Sequence, residues 1–503
     1  MSEFVDVEKK APERISTGIP GFDAVLGGGL PQGHIYLLEG ESGAGKTTVG
    51  LQYLREGRRH GEATLWISLS ETQHELRQIA ESHGWSLDGV ELCNPVSDKR
   101  TAHPDEQYSF FSPADVELED IRAAIVAAVE RIKPTRVVFD PFSDIRHLAR
   151  DVLRYRRYVL YLREFFTKQG CTVLLMQETA RGAPGDLQAE ALVHGYVTLQ
   201  QDSPEYGGQR RRLRIHKMRG IPFRDGYHDF AIETGGIAVY PRLVAAEHER
   251  HEREEVLASG VEAFDHLLGG GIERGSSLLI MGTAGVGKST LSTQYVARLA
   301  QQGEKAAIFA FDETTRTYRS RSQKLGMNLD PHVAAGTVTL RQIDSAEVTP
   351  GQFSHMVMQS VDREGASLVV IDSISGYMSA MPEERFLFTH LHELLTYLGH
   401  RNVVTILTLA QHGLLGERVQ SPADISYLAD NVVLIRYFEA FGAIRRAISV
   451  VKKRSGPHER LVREMTIAND GVRIGQPLRQ FSGVLSGRPE FTGDFEQLSA
   501  DES

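Results

Sequence analysis

The chain has 503 residues, with 56 Lys+Arg against 66 Asp+Glu for a formal net charge of −10, and it is 41% hydrophobic and 24% charged. This is globular composition, too apolar for a disordered chain and long enough for two large domains, while the acidic balance argues against nucleic acid as the main partner. Two cysteines, Cys93 and Cys171, leave no disulfide framework or Cys-rich zinc site, and no run approaches the roughly 18 apolar residues of a membrane span, so a reducing, cytoplasmic setting without a membrane is expected.

Residues 1–14, rich in Glu and Lys, lack the apolar core of a signal peptide. Next come Gly21-Phe22-Asp23 and Leu26-Gly27-Gly28-Gly29-Leu30, a pair that returns 242 residues later as Ala263-Phe264-Asp265 and Leu268-Gly269-Gly270-Gly271-Ile272. The apolar run 35–38 predicts a strand entering the Gly-rich segment 40–48, and Val49, Leu51, Tyr53 and Leu54 predict a helix that stops near Gly61. Buried strands are expected at 64–69, 136–140 and 172–177. The stretch 247–255 holds no apolar residue and reads as a linker. Beyond it the pattern repeats: a strand at 277–280, a helix stopping near Gly303, and strands at 307–311, 368–372 and 403–409.

A period this long marks a duplicated domain, not a solenoid. The expected division is 1–246 for the first domain, 247–255 for the linker, 256–489 for the second domain and 490–503 for an acidic tail. Alternating strands and crossover helices predict an α/β fold in which each domain is a doubly wound, mostly parallel sheet flanked by helices.

Both copies carry G-x-x-x-x-G-K-[ST] between a strand and a helix. In the first copy the key residues are Gly40, Gly43, Gly45, Lys46, Thr47 and Thr48; in the second they are Gly282, Gly285, Gly287, Lys288, Ser289 and Thr290. Glycines let such a loop curl until its backbone N–H groups face phosphate oxygens, the lysine reaches the β- and γ-phosphates, and the hydroxyl of Thr47 or Ser289 serves Mg2+. Asp140 and Asp372, each ending an apolar strand, are placed to complete the Mg2+ site. A base is expected at the end of the neighbouring strand, where Ser70-Glu71 stands in the first copy and Asp312-Glu313 in the second. The alternative reading is that these acids cap the helix that follows.

Further along, Lys217 and Arg219, and in the second copy Lys452 and Arg454, alternate along predicted strands and so share a face. Such a pair suits either a charged edge strand or a finger directed at a neighbouring subunit's γ-phosphate.

Tandem phosphate loops with preceding GFD and GGG segments, an acidic couplet and a K-x-R hairpin resemble the KaiC family of circadian-clock ATPases, within the RecA/DnaB-like superfamily. The likeness runs over about 15–489. It implies two RecA-like domains stacked as the double ring of a homohexamer, with ATP between subunits, Mg2+ as cofactor, and serine autophosphorylation in the second domain. The family's phosphorylated Ser-Thr pair aligns with Ser426-Tyr427, and Ser421 matches a further hydroxyl that the family uses. Where the family has Glu-Glu, the first domain has Ser70-Glu71, which points to weak hydrolysis or to reliance on Glu71 alone. The resemblance allows a KaiB-like partner on the first ring, whereas the short segment after Gly487 leads us not to expect KaiA. Two other readings fit the core motif: a RecA/RadA-like DNA-dependent ATPase, and a scaffold whose assembly ATP controls.

Overall fold

A computed structural model describes residues 12–95, 114–149, 151–179, 187–250, 255–379, 386–411, 426–485 and 489–492. The chain divides into two compact units, Met1–Arg242 and Leu243–Ser503. Leu243 and Ala245 pack into a core cluster of the second unit with Phe353, Leu394 and Tyr397.

In the first unit a nine-stranded sheet runs, in spatial order, Val90–Cys93, Thr64–Ser68, Arg136–Asp140, Thr172–Glu178, Ile35–Gly40, Gly195–Asp202, Arg210–Met218, Tyr227–Glu233 and Gly236–Tyr240. The first six strands are mutually parallel and the last three extend the sheet as an antiparallel meander. The second unit repeats the plan in the order Val338–Gln342, Lys305–Ala310, Ala366–Asp372, Val404–Gln411, Ser277–Thr283, Asn431–Ala440, Ala443–Lys453, Arg463–Ala468 and Gly471–Pro477.

The expected doubly wound sheet is therefore present twice. Its strands read as unbroken apolar runs because helices cover both faces. Side chains alternate along a strand, so Tyr36 and Leu38 pack with Val49 and Tyr53 of the helix Lys46–Arg59, while Ile35 and Leu37 pack on the opposite face with Val159 and Leu162 of the helix Val152–Lys168. In the second unit Leu278 and Ile280 meet the helix Lys288–Gln301, and Leu279 faces the helices Pro350–Asp362 and Leu387–His400.

Both loop helices stop where the sequence signals it. Gly61 and Gly303 lie just past the C-caps His60 and Gln302 with φ of 75° and 84°, the left-handed turn that glycine adopts without a Cβ penalty. Among the described residues, no helix is long and apolar enough to cross a membrane.

Candidate functional site

Each Gly-rich loop joins the central, fifth strand of its nine-stranded sheet to the first turn of a helix. The strand Ile35–Gly40 lies between two parallel neighbours, and so does Ser277–Thr283. The helices begin at Lys46 and Lys288, with Gly45 and Gly287 as N-caps at φ 100° and 113° and no capping side chain. A Cβ at Gly45 would come within 2.8 Å of Ile232 Cδ1, and one at Gly287 within 2.7 Å of Ile467 Cδ1. The meander strands thus press on the loop, and only glycine fits there. Gly43 and Gly285 also take positive φ, while Thr48 and Thr290 are buried in the first helical turn. The result is a nest of backbone N–H groups at the positive end of a helix, an anion site by construction.

The loop lysines fold back over this nest. Lys46 Nζ donates to the carbonyls of Gly40 and Glu41, both at 2.9 Å. Lys288 does the same toward Gly282 at 3.0 Å and Thr283 at 2.9 Å. Burial pulls both ammonium groups below the ordinary lysine pKa, opposed at Lys46 by Asp140, Glu178 and Glu71 and at Lys288 by Asp372 and Asp312.

Facing the loops are the two strand-end aspartates. Thr47 Oγ1 donates to Asp140 Oδ2 at 3.4 Å. Burial, and then the nearby Glu71 charge, push the Asp140 carboxyl up to about 7, with Lys46 and Thr47 acting in the opposite sense. Asp372 accepts a hydrogen bond from the buried hydroxyl of Thr408 at 2.5 Å. The peptide bonds after Asp140 and Asp372 are both cis.

The acidic couplets differ between the units. Glu71 stands in a partly buried position near Lys46 and Asp140, and burial followed by Glu75 raises its pKa. Thr72 caps the helix Gln73–Ser82 through a reciprocal capping box with Glu75, so the cap is supplied without Glu71. In the second unit the two acids part. Asp312 accepts a hydrogen bond from the Ser373 hydroxyl, beside Asp372, and acts electrostatically on Lys288. Glu313 instead forms a two-point ion pair with Arg321, Nη2 to Oε2 at 2.8 Å and Nε to Oε1 at 3.3 Å. Thr314 caps the helix Thr315–Lys324, which carries Arg321.

The lysines of the cationic pairs lie on interior meander strands, not at a sheet edge, whereas Arg219 and Arg454 fall in the turns just past the strand ends, so the pairs do not alternate along one strand as the spacing suggested: Arg210–Met218 is flanked by Gly195–Asp202 and Tyr227–Glu233, and Ala443–Lys453 by Asn431–Ala440 and Arg463–Ala468. Each strand has a register irregularity just before its lysine, at His216 and at Val451; such bulges re-aim the following side chains. Lys217 Nζ donates to the Glu190 carbonyl at 2.5 Å and Arg219 Nη2 to that of Ala191 at 3.0 Å. In the second unit Lys452 Nζ donates to the carbonyls of Ser426 at 3.0 Å and Ala429 at 2.7 Å, and Arg454 pairs with Asp430 at 2.9 Å. The adjacent Lys453 is buried and tied to Glu273, a structural role the sequence did not separate from its neighbours. Ser426 sits in the turn before the strand Asn431–Ala440, with Tyr427 58% exposed. Ser421 lies outside the described residues.

Sequence reasoning missed Thr408, Ser373 and Arg321, which orient the acids. Only Arg321 left a trace, as one of four cations on an acid-free helix, Thr315–Lys324.

A family model described as "ATPase: KaiC" matches residues 15–244 and again 257–479. The chain is similar to the circadian clock protein KaiC3 of Synechocystis sp., with 27% identity over 98% of both chains. It is also similar to the circadian clock oscillator protein KaiC of Thermostichus vulcanus, 27% identical over 95% of this chain and 92% of that one. A third similar protein is the circadian clock oscillator protein KaiC 1 of Synechocystis sp., 26% identical over 96% of this chain and 93% of that one.

Proposed function

The chain belongs to the KaiC family of ATPases, with one family domain in each half, and from that premise we propose a Mg2+-dependent ATPase that assembles as a homohexameric double ring and phosphorylates itself on Ser426. ATP is the substrate of both sites. The domain limits proposed are 1–246 and 256–489, joined by 247–255 and followed by the tail 490–503.

One observation carries the reading: in both units a lysine at a helix N-terminus and a buried strand-end aspartate flank the same Gly-rich nest, with a further carboxylate alongside. Loop N–H groups and Lys46 or Lys288 would hold the β- and γ-phosphates. The donor set fits a hard divalent cation: a hydroxyl, Thr47 or Ser289, with an aspartate, Asp140 or Asp372, and at Asp140 a carboxyl whose ionisation burial opposes and a cation would favour. When bound, Mg2+ supplies charge neutralisation at the phosphate oxygens.

In the first unit Glu71 would orient the attacking water. Burial and then Glu75 lift its pKa above the ordinary glutamate value, which makes it a stronger base, and Ser70 leaves it as the one carboxylate of its couplet. In the second unit we assign that task to Asp312, because Arg321 engages Glu313. For autophosphorylation, the Ser426 oxygen attacks the γ-phosphorus, the bond to the ADP oxygen breaks, and the hydroxyl proton passes to Asp312 of the subunit holding the ATP. Lys217 with Arg219, and Lys452 with Arg454, would act on the γ-phosphate of the adjacent subunit. A KaiB-like protein remains the natural candidate partner for the first ring.

The test is steady-state ATP turnover of the full chain and of its loop variants. Lys46→Ala and Lys288→Ala are expected to remove one component each, and together all Mg2+-dependent turnover. Undiminished turnover in the double variant sinks the assignment. Stimulation of several-fold by single-stranded DNA at physiological salt would favour the recombinase-like alternative.

A further inference from the structure

The second unit carries a polar chain that the first replaces with apolar side chains at the same positions. From Glu313 it runs through the ion pair to Arg321, whose guanidinium lies 4.5 Å from the centre of the Tyr318 ring. The fully buried Tyr318 hydroxyl is 3.0 Å from Thr293 Oγ1. Thr293 Oγ1 in turn donates to the carbonyl of Ser289, the phosphate-loop residue, at 2.6 Å. The helices Gln73–Ser82 and Thr315–Lys324 have equal length and equivalent threonine caps, so the 242-residue register holds through them. In that register Arg321, Tyr318 and Thr293 correspond to Ile79, Leu76 and Leu51. Only the acid, Glu71 for Glu313, is common to both units.

Aliphatic packing fills this space in the first unit, so the fold does not require the polar version. A partly buried ion pair seldom stabilises more than well-packed apolar groups of similar volume. Its effect is to be sought in the site. Two adjacent carboxylates beside one nucleotide raise each other's pKa, unless a cation neutralises one of them. Gly376 contributes further, because a Cβ there would collide with Asp312 Oδ1.

We propose that Arg321 is a positioning residue of the second site: by holding Glu313 in a two-point ion pair anchored through Tyr318 and Thr293 to the loop helix, it leaves Asp312 as the one carboxylate of the couplet directed at the nucleotide. This rests on the assignment of Asp312 as base. The groups that the couplet meets are Lys288 of the loop helix and the Ser373 hydroxyl at Asp312, and Arg321 of the following helix at Glu313. Without Arg321, the Glu313 carboxylate would lose its two-point partner and be left to compete with Asp312 beside the nucleotide.

The experiment uses the full chain with Lys46→Ala silencing the first site, and measures kcat and the KM for ATP for R321M, E313Q and the R321M/E313Q pair. R321M is expected to lower kcat about tenfold and to change the KM for ATP less than about threefold. Adding E313Q to R321M should restore most of kcat, because Arg321 acts through Glu313. R321K, which keeps the charge but loses the two-point geometry, should fall between, and it carries the same test if R321M does not fold. A double variant as slow as R321M overturns the proposal, as does an E313Q single variant as slow as R321M. D312N separates the two layers: full turnover in D312N sinks the base assignment itself, whereas an inactive D312N with no recovery in the double variant sinks the role of Arg321 alone.

Discussion

Thr47, at the start of the first loop helix, donates its hydroxyl to Asp140, which lies 93 residues away at a strand end, across 3.4 Å. The bond ties the two halves of a phosphate and cation site, and it does so inside a protein interior where Asp140 resists ionisation. Its folded-state pKa of about 7 exceeds the 3.8 of the free side chain. The folded protein therefore binds the proton more tightly than the unfolded chain between those values, and stability attributable to this group falls as pH rises from about 4 to about 7. Asp140→Asn should stabilise the nucleotide-free protein at pH 8 by ~1–3 kcal/mol, with the gain vanishing toward pH 4. Chemical denaturation across that pH range checks it; a pH-independent effect would contradict the placement of the carboxyl.

The cationic pairs are held by carbonyls of their own chain, Lys217 by Glu190 and Arg219 by Ala191. The reading as fingers requires them to serve the neighbour. Arg219→Ala and Lys46→Ala chains, each also carrying Lys288→Ala, should both be nearly inactive, the former by about a thousandfold. Mixed under conditions of subunit exchange, they should regain activity, since some interfaces then combine an intact loop with an intact finger. No recovery on mixing would mean that Arg219 acts within its own subunit.

Ser426 and Tyr427 sit side by side, and Lys452 holds the carbonyls of Ser426 and Ala429. A tyrosine oxygen lies several bonds farther from the backbone than a serine oxygen, so one in-line geometry cannot serve both. Ser426→Ala is expected to abolish incorporation of labelled phosphate from ATP, and Tyr427→Phe to leave at least half of it. Labelling that survives the first change and disappears with the second would reverse the assignment.

Gly287 takes φ 113° and lies where a Cβ would meet Ile467. Gly287→Ala should cost about 1–2 kcal/mol of stability from the backbone alone, and ATP affinity at the second site should fall at least about tenfold as the loop shifts. Thermal unfolding and nucleotide titration in a Lys46→Ala background would show both. Unchanged affinity would mean that the nest tolerates the shift.

Much of this was readable from the residues. Central parallel strands buried on both faces keep their apolar runs, so Asp140 and Asp372 stood out as their polar ends, and the 242-residue period located both loops. The antiparallel meander was harder to read. Strands such as Arg210–Met218 alternate charged and buried residues, and their place inside the sheet depends on partners from elsewhere in the unit. The site's supporting bonds were hidden for a different reason. Thr408 reaches Asp372 across strands, and Arg321 reaches Glu313 over eight residues and a helix cap, not at the three- or four-residue spacing that a sequence displays. Nothing in the spacing of Asp312 and Glu313 foretold that they would part, since that depends on an arginine two turns along the next helix.

The most direct measurement is incubation of the purified full chain with Mg-ATP, followed by intact-mass determination and phosphopeptide mapping, beside Lys288→Ala and Ser426→Ala. The account predicts a mass gain of one phosphate mapped to Ser426 in the unaltered chain and none in either variant. Phosphate on Ser426 at the wild-type level in Lys288→Ala, or an unaltered chain that hydrolyses ATP yet gains no phosphate, would contradict it.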